Sequence, residues 1–476
     1  MRNLMLQSDR PATGVLAVNS PFDGRELDQV ATCGVDHVDD ALAAAHSMFR
    51  DRNCWLSVPA RLEVLSKAAA IMQTQVEELT LLAASEGGKP YTDSKVEVIR
   101  AIDGMHLCAE ILRSHPGKVI PIGTTPATTG RIAFTQKEPI GVVVAVSAFN
   151  HPLNLIVHQV GPAVASGCPV IVKPAADTPL SCIRFVEILR EAGLPDAWCQ
   201  VVVADDRDTA EKLVTDSRVG FFSFIGSARV GWMLRSKLAP GVRCALEHGG
   251  AAPLFLALPY DRDAALAATL KGGFYHAGQV CVSVQRVFAP AANATEFATE
   301  LADRASQLIV GPPEDKKTEV GPLIRTAEVE RISEWVDEAV TAGAELLCGG
   351  EKISDTCYPP TVLLNPPADA RVSTLEIFGP VVCVYGYDDI DKAIEQANAL
   401  PVAFQAAVFT DDVDIANRMF KKLDATAVMI NDHTAFRDDV MPFAGLRESG
   451  LGIGGIPYTM EDMQIDKMMV IKSTEL

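Results

Sequence analysis

The stretch GVVVAVSAFNHPLNLIVHQVGPAVASGCPVIVKPAADTP, residues 141–179, decides the fold. It opens on a short β-branched run, passes through a helix-like segment, and returns to a second apolar run, PVIVK, before a polar turn. Runs that are apolar throughout, rather than alternating, suit a parallel sheet covered on both faces. The rhythm continues through CQVVVA (199–204), VGFFSFIGS (219–227) and VRCALEHGG (242–250), with helix-like spacers between them. Strands alternating with helices give βαβ units, and such sheets take their ligands at the carboxyl ends of the strands.

A second α/β series runs from about residue 252 to about 440, with PLFLAL, a helix around Ala264 to Gly278, VQRVFAP, VVCVYGY and AAVFT. Upstream, VDDALAAAHSMF (38–49) spaces Ala and Leu helically, and residues 57–88 read as one helical segment with Ser57 as cap and Gly87 and Gly88 as stop. GRIAFTQKEP (130–139) and KMMVIKS (467–473) read as strands with no helix beside them, free to pair with each other or with a partner subunit. No repeat, low-complexity tract or long linker interrupts the chain.

With 476 residues, the chain exceeds what one hydrophobic core organises, so at least two domains are expected. Hydrophobic residues make up 48% and aromatics only 6%, which predicts an aliphatic, Ala-rich core. Lys and Arg number 42 against 61 Asp and Glu, a net charge of −19 that repels a phosphate backbone and argues against nucleic acid. The 11 Cys form no CxxC and no zinc-finger spacing with His, so they read as reduced thiols of a cytoplasmic protein with no metal site. The start has no sustained apolar h-region. The most apolar stretch, Ile140 to Phe149, is about half the ~20 residues a membrane span needs.

Two glycine patterns mislead. Gly450, Gly452 and Gly455 satisfy GxGxxG, but no apolar strand immediately precedes them and no second βαβ half can follow, so they read as a glycine-rich loop. GSARVG (226–231) has the outer glycines of a phosphate-binding loop with Trp232 where Lys must stand.

Six short segments carry residues able to do chemistry, and each also has a bland reading. In HAGQVCVSVQR, Cys281 ends an expected amphipathic helix just before a strand; it is either a nucleophile or one more buried thiol. In CALEHGGAAP, Glu247 ends an apolar strand, where two following glycines let the chain turn its carboxylate into a cleft; alternatively it is a solvated strand end. Asn150, after the first parallel strand, can donate to an oxyanion or cap a helix. Lys173 closes a strand facing the ligand crevice. Gly226 and Ser227 open a helix whose backbone N–H groups suit a pyrophosphate. In EIFGPVV, Glu376 can accept ribose hydroxyls and Phe378 can flank a flat nicotinamide.

In this order, with Glu247 and Cys281 separated by 281 − 247 = 34 residues, the segments resemble the aldehyde dehydrogenase superfamily, and the resemblance extends from about residue 18 to the last strand. It implies an α/β fold with a Rossmann-type parallel-sheet cofactor domain (1–117 and 139–248), a second α/β catalytic domain (249–454) and a small β oligomerisation element (118–138 and 455–476), assembled as a homodimer or homotetramer. It also implies roles. Cys281 forms a thiohemiacetal and then a thioester, Asn150 and the Cys281 N–H hold the oxyanion, and Glu247 activates the hydrolytic water. Lys173 and Glu376 hold the ribose hydroxyls, Ser227 contacts the pyrophosphate, and Phe378 borders the nicotinamide of NADP or NAD.

The departures from the family pattern are Phe149 for Trp, His248 beside the base, and PFAGLRESG with Ala444 and Arg447. Ala176 stands where NAD-preferring relatives usually have a Glu that would repel a 2′-phosphate. NADP is therefore expected to be accepted, with preference left open. NDHTAFRDDVMPFAGLRESGLG (431–452) resembles the group that includes lactaldehyde, succinate semialdehyde and phosphonoacetaldehyde dehydrogenases. There Arg437 and His433 could meet a polar or anionic aldehyde, unless Arg437 pairs with Asp438 or Asp439. Val280, where relatives gripping phosphorylated aldehydes often have a cation, argues against glyceraldehyde-3-phosphate. The competing readings are a CoA-acylating dehydrogenase, which normally lacks the base, a thiol esterase, and a non-catalytic binding protein on the same fold.

Overall fold

The computed structural model describes residues 1–476. The 141–179 stretch folds as expected: strand Val142–Val146, helix Asn154–Ser166, strand Val170–Lys173. The strands belong to a six-stranded sheet, in order 450–451, 243–247, 219–225, 142–146, 170–173, 199–201. The last five run parallel. Chain order reverses between 142–146 and 219–225, and that switch point opens a crevice at the carboxyl ends of both strands. Gln159, buried on the intervening helix, fastens it from below by donating to Val146 O and Ser223 O at 3.2 Å.

The second series forms a seven-stranded sheet in order 345–348, 361–364, 381–387, 284–290, 252–256, 405–409, 427–430. Only 345–348 is antiparallel. Leu254, Phe255, Val287 and Phe288, all essentially inaccessible, sit in its core. Ring stacking of Phe255 on Phe288 at 4.8 Å adds to the aliphatic packing. Strands Arg131–Pro139 and Gln464–Lys472 do pair with each other, antiparallel over their whole lengths, with Val119–Ile120 on the far side. The outer edge of Gln464–Lys472 has no neighbour in the chain, and Met468, Met469, Val470 and Ile471 are each more than 40% exposed. No helix is long and apolar enough to cross a membrane.

Two expectations need correction, and one open alternative closes. The 57–88 segment is two helices, Val58–Thr74 and Val76–Gly87, broken at Gln75; Ser57 does cap the first, accepting from Ala60 N at 3.4 Å. The helix before Cys281 stops at Phe274, because the chain then turns through His276 (φ 48°), Ala277 (φ 53°) and Gly278 (φ 69°). Asn150 caps nothing. The N–H groups of Leu153 and Asn154 go instead to Glu97 Oε1, at 2.9 and 3.0 Å. Glu97 lies on a long helix, Tyr91–Ser114, and its other oxygen takes the buried ammonium of Lys89.

Candidate active site

Each candidate side chain is aimed by the element that precedes it. Glu247 closes strand Arg243–Glu247, whose neighbour Gly450–Leu451 pairs Gly450 with Glu247. The misleading GxGxxG is thus a loop laid beside the carboxylate: a Cβ at Gly454 would come 3.2 Å from Glu247 Oε2. Burial pushes the Glu247 carboxyl up to about 7, with Arg437 opposing. His248 turns away from it. Its ring packs against Phe224 and Trp232 at 5.6 and 5.9 Å, and its Nδ1 meets Gly226 O at 2.7 Å. Burial lowers its pKa, so the neutral ring with the proton on Nδ1 fits that contact.

Cys281 lies between the two sheets, partly exposed, on the turn that follows three left-handed residues. Such backbone costs about 1 kcal/mol or more per non-glycine residue and persists only where neighbours over-determine it. Gln279 does that work. Its N–H reaches His276 O at 3.0 Å, its Nε2 reaches Pro322 O at 3.2 Å, and its Oε1 accepts from Ile324 N at 3.0 Å. Asn150 Nδ2, from the first sheet, donates to Gln279 O at 2.9 Å. One of the two amide hydrogens of Asn150 is thereby spent on fixing its plane, and the second stays available beside Cys281. Gln279 stands inside HAGQVCVSVQR, where no chemical role is evident from sequence alone. Its signal was an amide next to a glycine turn.

Burial, then Glu247 and Glu376, push the Cys281 thiol well above its ordinary value. Arg437 opposes them, and the charges acting on Arg437 in turn include Glu247, Asp439 and Cys281. Arg437 does not pair with Asp438 or Asp439. It donates through Nη1 to Met441 O at 2.8 Å and lies 4.3 Å from the Phe443 ring. Asp439 is taken instead by Arg100 Nη2 at 2.5 Å and His158 Nε2 at 2.9 Å. That tie holds the 433–441 loop to two helices from the other side of the cleft, and it leaves Arg437 without an ion pair. His433 sits on the same loop, its Nδ1 buried without a partner. Nothing local in the sequence links Asp439 to Arg100 and His158, which lie on distant helices.

Around the switch point lie the groups that could hold a nucleotide. Lys173 ends its strand, and burial lowers its pKa. Ala176 is exposed on the following loop. Gly226 (φ 157°) and Ser227 lead into helix Ala228–Arg235, whose first N–H groups have no intrahelical acceptor. Glu376 is pushed up to about 8 by burial, and its Oε1 is buried without a hydrogen-bond partner. A Cβ at Gly249 would overlap that oxygen, so only glycine lets the carboxylate lie there. Phe378 (φ 50°) meets Phe149 edge-to-face at 5.9 Å. An orphaned carboxylate oxygen, a free helix start and a lysine along one crevice fit the hydroxyls and phosphates of a dinucleotide. No group of three His, Cys, Asp or Glu side chains is disposed to hold a metal.

Cys281, Glu247 and Asn150 lie on one cleft between the two largely parallel sheets of an α/β protein. Residues 8–469 match the aldehyde dehydrogenase family. The chain belongs to that family. It is 36% identical to the 3-sulfolactaldehyde dehydrogenase of Priestia aryabhattai, over 93% of this chain and 92% of that one. Among solved structures it resembles aldehyde dehydrogenase 21 of Physcomitrella patens, in complex with the reaction product succinate, with a TM-score of 0.95 and 32% identity over 99% and 98% of the two chains. It also resembles the glyceraldehyde-3-phosphate dehydrogenase GapN of Methanocaldococcus jannaschii, complexed with NADP, with a TM-score of 0.91 and 30% identity over 98% and 100%.

Proposed function

We propose that the protein oxidises a short polar or anionic aldehyde to the carboxylic acid, with NADP or NAD as cofactor and Cys281 as nucleophile. The observation that carries this is the convergence of Glu247, Asn150 and Cys281 on one cleft, with the Asn150 amide fixed against the turn that bears the thiol. Cys281 Sγ attacks the aldehyde carbon, and its proton has Glu247 as the nearby acceptor. The resulting thiohemiacetal oxyanion accepts from the free Asn150 N–H and the Cys281 N–H. Lys173, Gly226, Ser227, Glu376 and Phe378 would hold the dinucleotide, which supplies the acceptor for the hydride that leaves this adduct. Glu247 then releases the thiol proton to solvent, water attacks the thioester left on Cys281 as Glu247 takes a proton from it, and the acid departs as that proton passes to the sulfur and restores the thiol.

Glu247 favours water over CoA as the acyl acceptor. Arg437 and His433, on the loop held by Asp439, favour an anionic tail; relatives named for sulfolactaldehyde or holding succinate support the same class. The reading assigns residues 1–117 and 139–248 to the cofactor, 249–454 to catalysis, and 118–138 with 455–476 to subunit contact. It places the protein in the cytoplasm, where 11 unpaired thiols stay reduced.

The test is formation of reduced nicotinamide, followed by absorbance, with a panel of anionic, hydroxylated and aromatic aldehydes and either cofactor, without CoA. Turnover led by the anionic or hydroxylated members supports the proposal. Higher kcat/KM for aromatic aldehydes, or a requirement for CoA, would overturn it. Asn150→Ala should lower kcat by about 10²–10³, the usual loss for one oxyanion donor, with little change in cofactor affinity. The bare edge of Gln464–Lys472 predicts a dimer or tetramer built across it. Val470→Lys should shift the species seen by light scattering toward monomer. An unchanged mass would show that the contact lies elsewhere.

A further inference from the structure

The loop after Lys173 holds an ion pair that the proposed chemistry does not use. Asp177 is gripped by Arg325, with Nε to Oδ1 at 3.0 Å and Nη2 on Oδ2. Arg325 comes from the other layer of the molecule, as the residue just before helix Thr326–Thr341. Its base is rigid: Ile324 N is held by Gln279 Oε1 at 3.0 Å and Leu323 N by Thr356 O at 2.8 Å. The Arg325 side chain is 54% exposed, and its Nη1 makes no hydrogen bond within the chain.

The charges around this point are uneven for so acidic a chain. Asp177 is the leading charge felt by Lys173, so one carboxylate stands between two cations, with Glu328 a weaker influence on Arg325. Ala176 beside them adds no carboxylate and leaves the space open. An exposed ion pair contributes little to stability and is readily exchanged. A guanidinium with unspent donors, by contrast, matches a phosphate in charge and in fork geometry.

We infer that Arg325, reaching across the cleft, is a specificity-determining residue that takes the adenosine 2′-phosphate of NADP opposite Lys173, with Asp177 holding it in readiness. The inference rests on the reading of this cleft as the nicotinamide cofactor site. It adds to that reading a contact from the layer that carries Cys281, so that binding of the phosphorylated cofactor draws the two layers together.

The experiment measures binding alone, by calorimetry on the full chain, with 2′,5′-ADP and 5′-AMP as probes. Wild type should bind 2′,5′-ADP the more tightly. Arg325→Ala should weaken 2′,5′-ADP by roughly tenfold or more, as loss of a charge-assisted phosphate contact does, and leave 5′-AMP nearly unchanged. Arg325→Lys should recover part of the loss. The double variant Asp177→Asn with Arg325→Ala should stay weak. If it returns to the wild-type ratio, Arg325 only masks Asp177 and the inference fails. An unchanged ratio in Arg325→Ala also overturns it. If wild type binds neither nucleotide, the cofactor reading of the cleft is itself wrong, a failure separate from the other two.

Discussion

Replacing Cys281 by Ala should remove dehydrogenase turnover, lowering kcat by at least about four orders of magnitude, as loss of a covalent nucleophile does. Binding of the dinucleotide and thermal stability should be close to wild type. The thiol is only partly buried, and the left-handed turn that presents it is held by Gln279 and Asn150, not by sulfur. The same measurement with Cys54→Ala is the control, since that thiol is exposed and far from the cleft in sequence and fold. Reduced nicotinamide still forming at a substantial rate in the Cys281 variant would sink the covalent mechanism. The environment of Cys281 sharpens the expectation. Burial and two carboxyls oppose a free thiolate, so the nucleophile is not a pre-formed anion of the resting protein. Glu247, held near neutrality, is the group able to take the proton as the sulfur attacks.

The parallel sheets were readable because burial on both faces leaves unbroken apolar runs, as at Val142–Val146 and Val381–Tyr387. The paired terminal strands were readable for the opposite reason: neither has a helix to cover it. Other elements carried no such signal. The helix Tyr91–Ser114 buries Asp93, Ser94 and Glu97 along with its aliphatic residues, so its stripe is polar at the points that matter. The hairpin Gly14–Asn19 with Glu26–Thr32 is half exposed and has no clean alternation. The break at Gln75 has neither Gly nor Pro to announce it. In the cleft, strand-end positions point to Glu247 and Lys173, because a charged residue after an apolar run must be solvated or used. The alternative role for Asn150, a helix cap, is closed for a definite reason. That role is taken by Glu97, a residue from a different helix that only the tertiary fold brings near. Arg437 could not be separated from Asp438 and Asp439 in the sequence. Arg100 and His158, which claim Asp439, lie more than 280 residues away.

Glu247→Gln should give the second large effect, and a distinctive one. Glu247 serves both steps, so the variant should form the thioester slowly, releasing up to one reduced cofactor per chain, and then turn over about 10²–10⁴ times more slowly than wild type. A burst at the wild-type rate would show that the thiol proton goes elsewhere and that Glu247 serves deacylation alone. Wild-type kcat should rise with pH through about 7, since the carboxylate is the active form, and the variant should lose that inflection. Stability should move the other way. A carboxyl whose pKa rises from 4.5 in the unfolded chain to about 7 in the fold binds its proton more tightly when native. Its contribution is therefore fully present below about 4.5 and is lost as pH climbs through about 7. The amide of Gln cannot ionise, so the variant should match wild type near pH 5 in thermal unfolding and exceed it near pH 8. The fold thus resists the charge that the base must carry in the reaction. Arg437, the one cation that offsets this cost, lies on the loop proposed to meet the substrate. An anionic aldehyde that draws on Arg437 should raise the Glu247 pKa further. The kcat inflection should then sit at higher pH with an anionic aldehyde than with a neutral one of the same length, and coincident profiles would show that Arg437 does not serve both groups.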